Sequence, residues 1–368
     1  MARVPVLAVV GPTAAGKSDL GVELALRLGG EVVNADSMQL YAGMDIGTAK
    51  LTVAERRGVP HHLLDIWPVT KTASVAEYQR AARRIIDDLR AAGKVPILVG
   101  GSGLYVRAVL DDLDFPGTDP AVRARLEAEL ERVGPAALHR RLAELDPDAA
   151  AAILPSNGRR IVRALEVIEL SGRPFTARMP SYESVYPSVQ IGLEVPRPEL
   201  DERIARRVER MWRAGFVDEV RRLAAAGLAD GRTAGRALGY AQVLRMLAGE
   251  WTEEQAKAET IRATRRFARR QESWFRRDPR VHWLPYDAPD LVDRALALVA
   301  EQHAALGGAG RGRRGRRRRG RRAARGPVRR AAGAPCGVGG PRRAVRFVTC
   351  IRRRRCGSSR ATARRTIS

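Results

Sequence analysis

A glycine-rich segment close to the N-terminus has the spacing of a phosphate-binding loop. Residues 11–18 read GPTAAGKS, which fits the pattern G-x-x-x-x-G-K-[ST]. Gly11 and Gly16 let the backbone fold around a polyphosphate, whose oxygens then meet amide N–H groups at a helix N-terminus. Lys17 adds a positive charge, and the Ser18 hydroxyl can ligate Mg²⁺. The segment therefore predicts a polyphosphate site, with Ser18 as metal ligand and Mg²⁺ as cofactor.

The loop by itself does not identify the molecule that it holds. ATP, GTP and an organic diphosphate present the same kind of oxygen to the same amide groups. A kinase and a nucleotidase are both compatible with this motif, so the choice depends on the rest of the chain.

Three short apolar runs, residues 6–10, 31–35 and 95–99, predict buried strands. Between the first two, residues 18–28 repeat leucine at helical spacing and stop at Gly29. Strand, glycine loop, helix and strand form a βαβ unit, which implies parallel strands. Residues 74–92 predict another helix, capped by Ser74 with Glu77 three positions on. The predicted fold class is α/β, with a P-loop NTPase-like parallel sheet as the core.

The strand signals stop between residues 111 and 187, where helical patterns cover 119–133, 135–145 and 157–171. An apolar run at 189–195 then predicts a strand that returns to the sheet, followed by helices at 200–226, 237–247 and 252–275. We therefore predict a discontinuous core, residues 1–110 and 188–300, that is interrupted by an all-helical insertion domain at 111–187.

The formal net charge of +25 comes mostly from the C-terminal end. Residues 307–368 hold 22 Arg and no acidic residue, so the first 306 residues carry 44 basic and 41 acidic side chains. A tail of this composition buries too little apolar surface to fold, and we predict disorder for residues 307–368. Two interpretations stay open for the Arg-rich tail. It is either a nonspecific RNA-binding arm, or a solvated extension such as the product of a shifted reading frame.

All three cysteines, Cys336, Cys350 and Cys356, lie in that tail, so the predicted core has no thiol for a disulfide or a thiolate metal site. The first residues show no small-residue cleavage site, and no apolar run reaches the roughly 18 residues that a membrane helix needs. We expect a cytoplasmic protein that acts as a monomer and does not bind membranes.

A series of motifs after the second predicted strand narrows the choice of function for the phosphate loop. Residues 34–41 read NADSMQLY and residues 44–50 read MDIGTAK. Further matches follow in chain order: HHLLDI at 61–66, VGGSGLY at 99–105, RRIVRALE at 159–166, Gly239-Tyr240, and RRQ at 269–271 with Trp274. With these motifs the chain resembles the tRNA dimethylallyltransferase family, also called the tRNA isopentenyltransferase or IPP transferase family, over residues 3–300.

The resemblance implies transfer of a dimethylallyl group from dimethylallyl diphosphate to the N6 amine of adenosine 37, just 3′ of the anticodon, in tRNAs that read codons beginning with U. The products are N6-(dimethylallyl)adenosine and diphosphate. The catalytic residues implied are Asp36, Thr13 and Arg207. The donor's diphosphate would lie on the whole loop, which consists of Gly11, Pro12, Thr13, Ala14, Ala15, Gly16, Lys17 and Ser18.

Elementary chemistry agrees with a catalytic role for Asp36. The exocyclic amine of adenine is a poor nucleophile because its lone pair is delocalised into the ring, so it needs an acceptor for its proton. Asp36 follows a predicted strand, and ligands of open α/β sheets collect at the carboxyl ends of strands. Alternatives stay open for both residues: Asp36 could bind Mg²⁺ through water or cap a helix, and Arg207 could form a surface salt bridge.

For the tRNA anticodon arm, the resemblance implies contacts near Asp36 and in the helical insertion. These residues are Asp36, Ser37, Met38, Gln39, Ser102, Arg123, Arg159, Arg160, Ile161, Val162 and Arg163. The chain departs from the family at Ala241, where a basic residue is usual.

Three other functions compete with tRNA prenylation. An adenylate isopentenyltransferase would prenylate free AMP or ATP, but that class lacks a large helical insertion. A small-molecule P-loop kinase would transfer the γ-phosphate of ATP. A nonenzymatic RNA-binding protein would leave the intact phosphate loop unexplained.

Overall fold

The protein is described by a computed structural model, which covers residues 4–113, 115–175 and 182–302. These belong to one compact unit, Met1–Gly315, whereas the second unit, Arg316–Ser368, lies outside the described residues. The disorder predicted for residues 307–368 therefore falls outside them as well.

A parallel six-stranded sheet forms the centre of the described chain, as predicted. Its order is β3-β2-β4-β1-β5-β6. The strands are β1 (Val6–Val10), β2 (Glu31–Asn34), β3 (His61–His62), β4 (Pro96–Val99), β5 (Ser188–Glu194) and β6 (Val281–Pro285). Strand β5 comes after residues 111–187 in the chain and pairs directly with β1.

The two edge strands, β3 and β6, were not predicted from the sequence. β3 contains only two residues, which is too short to produce an alternating pattern. β6 reads VHWLP and is only partly buried, so it lacks the apolar run that marked the inner strands. Every residue of β1, by contrast, is 0% exposed, because helices cover the sheet on both faces.

The helices in chain order are α1 (Lys17–Leu28), α2 (Val75–Ala91), α3 (Gly103–Leu110), α4 (Pro120–Val133), α5 (Pro135–Leu145), α6 (Pro147–Ala152), α7 (Gly158–Ser171), α8 (Arg197–Arg213), α9 (Phe216–Ala225), α10 (Tyr240–Leu247) and α11 (Glu253–Phe275). Residues 291–302 are also helical. Most bounds lie close to those predicted. The helix predicted at 200–226 is wrong in one respect: it is divided at Gly215, whose φ of 89° ends α8 and begins α9.

Capping side chains at the helix N-termini explain why the first residues of these helices could be predicted from the sequence. Ser74 accepts a hydrogen bond from the backbone N–H of Glu77, and Thr252 accepts one from that of Gln255. The Glu77 carboxylate does not return to Ser74. It pairs with Lys71 at 2.6 Å instead, so the predicted cap is only half formed.

Helices α4 to α7 pack around a hydrophobic core of their own within residues 111–187. Its fully buried members include Leu126, Leu138, Leu142 and Ile161. At its edge the carboxylate of Glu166 is 0% exposed and accepts hydrogen bonds from Arg123 and, at 2.6 Å, from Arg163. Burial alone would raise the pKa of Glu166, but the two guanidinium groups outweigh burial and lower it.

No helix among the described residues is both long and apolar enough to cross a membrane.

The lowered pKa of Glu166 predicts an acid-sensitive contribution to stability. This contribution is complete above the carboxyl group's usual pKa of 4.5 and is lost as the pH falls through the lower folded value. Glu166→Gln should therefore reduce the free energy of unfolding at pH 7 by about 1–3 kcal/mol and weaken its dependence on pH between about 5 and 3. Denaturant titrations across this range measure both. Glu169→Gln, in an exposed ion pair on the same helix, is the control.

Candidate active site

The phosphate loop connects β1 to α1 and has the backbone conformation of an anion cradle. Gly11 has a φ of 132° and approaches β5 so closely that a Cβ would lie 3.2 Å from the carbonyl oxygen of Leu193. Gly16, at the N-cap of α1, also has a positive φ and brings no side chain to the helix end. The N–H groups of the first turn are therefore free of a side-chain cap and point toward the loop.

Lys17 bends back over the loop from the first turn of α1. Its Nζ donates a 2.7 Å hydrogen bond to the carbonyl oxygen of Pro12. Burial lowers the pKa of Lys17 to about 8; the nearby Asp36 carboxylate opposes this shift, and Arg207 adds to it. Burial thus raises the free energy of the ammonium form, and an anionic ligand would lower it.

Arg207 reaches the same loop from α8. Its Nη1 donates to the Thr13 hydroxyl at 3.0 Å, and its Nη2 donates to the carbonyl oxygen of Thr48 at 3.2 Å. Burial lowers its pKa, whereas Asp36 opposes that shift. Arg207 forms no ion pair with any described residue, so the surface salt bridge considered as an alternative is wrong.

Asp36 follows β2 at the carboxyl edge of the sheet. Its backbone N–H donates to Asn34 Oδ1 at 2.8 Å, and its own Oδ1 accepts from the backbone N–H of Met38 at 2.9 Å. These bonds fix the orientation of the carboxylate, while Oδ2 makes no hydrogen bond to a described residue. One oxygen is therefore left to accept a proton from a ligand.

A cavity of about 70 Å³ joins these groups, and we call it the inner cavity. Residues singled out from the sequence that line it are Thr13, Lys17, Ser18, Asp36, Gln39 and Arg207. The structure thus brings together the three residues predicted as catalytic with the lysine and serine of the loop. A carboxylate faces an anion cradle across a space large enough for only a few atoms.

The lining of the inner cavity offers few ligands for a metal ion. Among the described residues, no three His, Cys, Asp or Glu side chains are grouped to hold a metal. Mg²⁺ commonly takes one or two carboxylates together with phosphate oxygens and water. Ser18 and Asp36 both line the cavity, so this donor set suits a metal held mainly by a phosphorylated ligand.

Gln271 is a site residue to which the sequence analysis gave no role. Its Oε1 accepts from the backbone N–H of Thr13 at 2.9 Å, and its Nε2 donates to the carbonyl oxygen of Gly101 at 2.9 Å. It therefore holds the phosphate loop against the loop that follows β4. The available signal was its place in the matched RRQ motif at residues 269–271.

The motif at residues 44–50 is held next to the inner cavity by a network of hydrogen bonds. The buried carboxylate of Glu219 accepts backbone N–H bonds from Asp45, Ile46 and Gly47, and also the Tyr240 hydroxyl at 2.6 Å. Burial and the adjacent carboxylate raise the pKa of Tyr240, which stays a donor. This network fixes the backbone that leads to Thr48, the acceptor for Arg207.

The residues predicted to contact tRNA fall into two groups. Around Asp36, the backbone N–H of Ser37 donates to Ser102 Oγ at 3.1 Å, so this group lies beside the inner cavity. On α7, Arg159 and Arg160 are exposed, whereas Ile161 and Val162 are buried within the helical core. Arg123 and Arg163 are engaged with Glu166, as described above. In this second group, therefore, only Arg159 and Arg160 are exposed.

These features define a class: α/β proteins with a phosphate-binding loop at the carboxyl edge of a parallel sheet, opposite a carboxylate. The edge is formed by the loop after β1, by Asp36 after β2 and by Ser102 after β4. This is where ligands of open α/β sheets bind.

Comparisons with known proteins identify the family within that class. The family model described as IPP transferase matches residues 39–278. The tRNA dimethylallyltransferase of Thermobifida fusca is 77% identical over 301 residues, covering 80% of this chain and 94% of that protein. The tRNA dimethylallyltransferase of Streptomyces coelicolor is 73% identical over 297 residues, covering 80% and 95%. The chain therefore belongs to the IPP transferase family, and the resemblance read from the motifs is confirmed.

Comparison with solved structures points to the same family. The full-length tRNA isopentenylpyrophosphate transferase from Bacillus halodurans aligns with a TM-score of 0.64 at 41% identity, covering 83% of this chain and 99% of that one. A eukaryotic dimethylallyltransferase acting on tRNA aligns with a TM-score of 0.71 at 24% identity, covering 80% and 78%. The second likeness shows the fold alone.

The pKa of Lys17 predicts how anion binding depends on pH. Below about pH 8 the free protein carries the ammonium, and above it the charge is lost, so the affinity for inorganic diphosphate should fall by up to about tenfold per pH unit. Calorimetric titrations between about pH 6.5 and 9.5 measure this. Lys17→Arg keeps its charge throughout and should remove the fall. A wild-type affinity that stays flat or rises across pH 8 contradicts the assignment.

Proposed function

We propose that this protein transfers a dimethylallyl group from dimethylallyl diphosphate to the N6 amine of adenosine 37 in tRNAs that read codons beginning with U. The proposal is carried by one observation: Asp36 shares the inner cavity with Lys17 and Arg207. The names of the two bacterial relatives, tRNA dimethylallyltransferase, support it.

The reaction divides among the residues of the cavity as follows. The diphosphate of the donor occupies the loop, where backbone N–H groups, Lys17 and Thr13 hold its oxygens. The adenine amine approaches the allylic carbon from the side of Asp36. The new N–C bond forms while the C–O bond to diphosphate breaks, and Asp36 takes the proton that the amine loses.

Departure of the diphosphate concentrates negative charge on the loop. Lys17 and Arg207 are already in position and already partly desolvated, so they stabilise that charge without reorganising. Thr13 is oriented by Arg207 and contributes its hydroxyl. When bound, Mg²⁺ would be held by Ser18 together with the diphosphate and would offset part of the same charge.

The acceptor base must leave its stack in the anticodon loop to reach a cavity this small. Ser37, Met38, Gln39 and Ser102 lie beside Asp36, and we propose that they contact the base and its neighbours. Arg159 and Arg160, exposed on α7, would contact phosphates of the anticodon arm. In this proposal residues 111–187 act as the tRNA-binding domain, and the monomeric protein works in the cytoplasm.

One assay separates the proposed function from its competitors. The protein is incubated with labelled dimethylallyl diphosphate and Mg²⁺, with unmodified tRNA, AMP or ATP as acceptor, and in parallel with γ-labelled ATP. Label in tRNA alone supports tRNA prenylation. Label in AMP or ATP identifies an adenylate isopentenyltransferase, and phosphate transfer from ATP identifies a kinase.

Asp36→Asn should lower the rate constant for transfer by about 10²–10⁴-fold, because the amide cannot accept the proton of the amine. The side chain keeps its size and can still accept a hydrogen bond, so the affinity for tRNA should change little. Single-turnover transfer and filter binding of tRNA measure the two quantities. Transfer within a factor of a few of the wild-type rate would remove Asp36 from the role of base.

A further inference from the structure

A second and larger cavity of about 920 Å³ begins at the phosphate loop and opens to solvent. We call it the outer groove. Lys17, Ser18, Ala49, Leu51 and Arg207 line both the outer groove and the inner cavity. A molecule bound on the loop can therefore pass along the outer groove on its way in or out.

One wall of the outer groove is the arginine-rich face of α8. The arginines that line it are Arg203, Arg206, Arg207, Arg210 and Arg213. At about 100° per residue these positions fall within roughly one third of the helix circumference. The buried residues Leu200, Ile204 and Val208 occupy another part of the helix and pack in the core. Five guanidinium groups thus form a row from solvent to the loop.

The inner members of this row already have partners. Arg203 donates to the carbonyl oxygen of Ala14 at 2.8 Å and lies over the ring of Tyr286. Arg207 holds Thr13, and Arg206 pairs with Glu202 at 2.7 Å. Arg203 and Arg206 therefore make structural contacts, and Arg207 makes the contact assigned above to catalysis.

Arg210 and Arg213, toward the outer end, are different. Both are exposed, and neither forms a hydrogen bond or an ion pair with a described residue. The charge of Arg210 nevertheless reaches the site, because it contributes to the lowered pKa of Arg207. Two uncompensated positive charges therefore stand where the outer groove meets solvent.

Four acidic residues also line the outer groove, fewer than its seven basic ones. Asp45 pairs with Lys50 at 2.6 Å and Glu209 with Lys257 at 3.4 Å, while Asp19 interacts with Arg203 and Glu55 accepts from the backbone N–H of Thr52 at 2.8 Å. The facing wall is partly apolar, with Ile46, Ala49 and Leu51. A basic wall opposite an apolar one suits a molecule with a diphosphate at one end and a hydrocarbon at the other.

We propose that Arg210 and Arg213 steer the prenyl diphosphate into the outer groove and that diphosphate leaves by the same route. This inference rests on the proposed function for the identity of the donor. A cleft lined by one sign of charge raises the local concentration of the opposite ion and its rate of association. Exposed guanidinium groups that contact no bound group act on this encounter through long-range attraction, which salt screens beyond about 10 Å at 0.1 M.

The test is the salt dependence of donor use in the double variant Arg210→Gln/Arg213→Gln. At low ionic strength its kcat/KM for dimethylallyl diphosphate should fall by roughly 3–30-fold, with kcat and the KM for tRNA unchanged. Near 1 M salt, where the screening length is about 3 Å, the variant and the wild type should converge. Arg210→Lys/Arg213→Lys should retain the wild-type values. Arg222→Gln, an exposed arginine on α9 outside the outer groove, is the matched control.

Other outcomes overturn the proposal. An unchanged kcat/KM at low salt removes any steering, and a loss that persists at high salt makes the arginines direct contacts. A raised KM for tRNA assigns them to an RNA surface. The association rate of inorganic diphosphate, followed by stopped-flow, tests the groove without prenyl transfer. If the wild type transfers no prenyl group but this rate shows the same salt-dependent loss, the proposed function fails while the steering stands.

Discussion

Two half-buried cations that share one carboxylate are the constraint on which the site depends. Lys17 and Arg207 are both held where burial lowers their pKa, and Asp36 opposes that shift for each. One carboxylate does not balance two cations, so the inner cavity keeps a positive excess that an anionic ligand completes. The Oδ2 atom of the same carboxylate makes no hydrogen bond to a described residue. In the proposed reaction, anion binding and proton transfer would both depend on the charges of these three side chains.

The surrounding structure keeps these charges from moving apart. The loops after β1, β2 and β4 converge because the strands are parallel and end at one edge. Glu219 and Tyr240 fix the backbone around Gly47, where a Cβ would lie 2.3 Å from the ring of Phe216. Lys50 is buried between Asp45 and Asp65. Part of the motif at residues 44–50 therefore serves to position Thr48 and Arg207, while Ile46 and Ala49 line the outer groove.

Local patterns predicted the inner strands, the helix starts and the phosphate loop because each depends on residues close in sequence. The division at Gly215 and the short strand β3 escaped because one residue, or two, carry too little pattern. Gln271 escaped for a different reason: its role depends on a partner 258 positions away. Arg159 and Ile161 are near neighbours in one motif, yet one is exposed and the other is buried. Only packing against α4 and α5 decides which side of α7 faces solvent.

The hydrogen bond between Gln271 and the backbone of Thr13 affects the order in which the protein folds during its synthesis. On the ribosome the phosphate loop emerges long before the glutamine that fixes its amide, which lies near the end of α11. Strand β5, a direct neighbour of β1, also appears late. The cluster α4 to α7 has mainly local contacts and can form earlier, since short loops close at lower entropic cost. A nascent chain would thus present a folded helical cluster well before its diphosphate cradle is complete, which keeps ligand binding from preceding synthesis of the whole core.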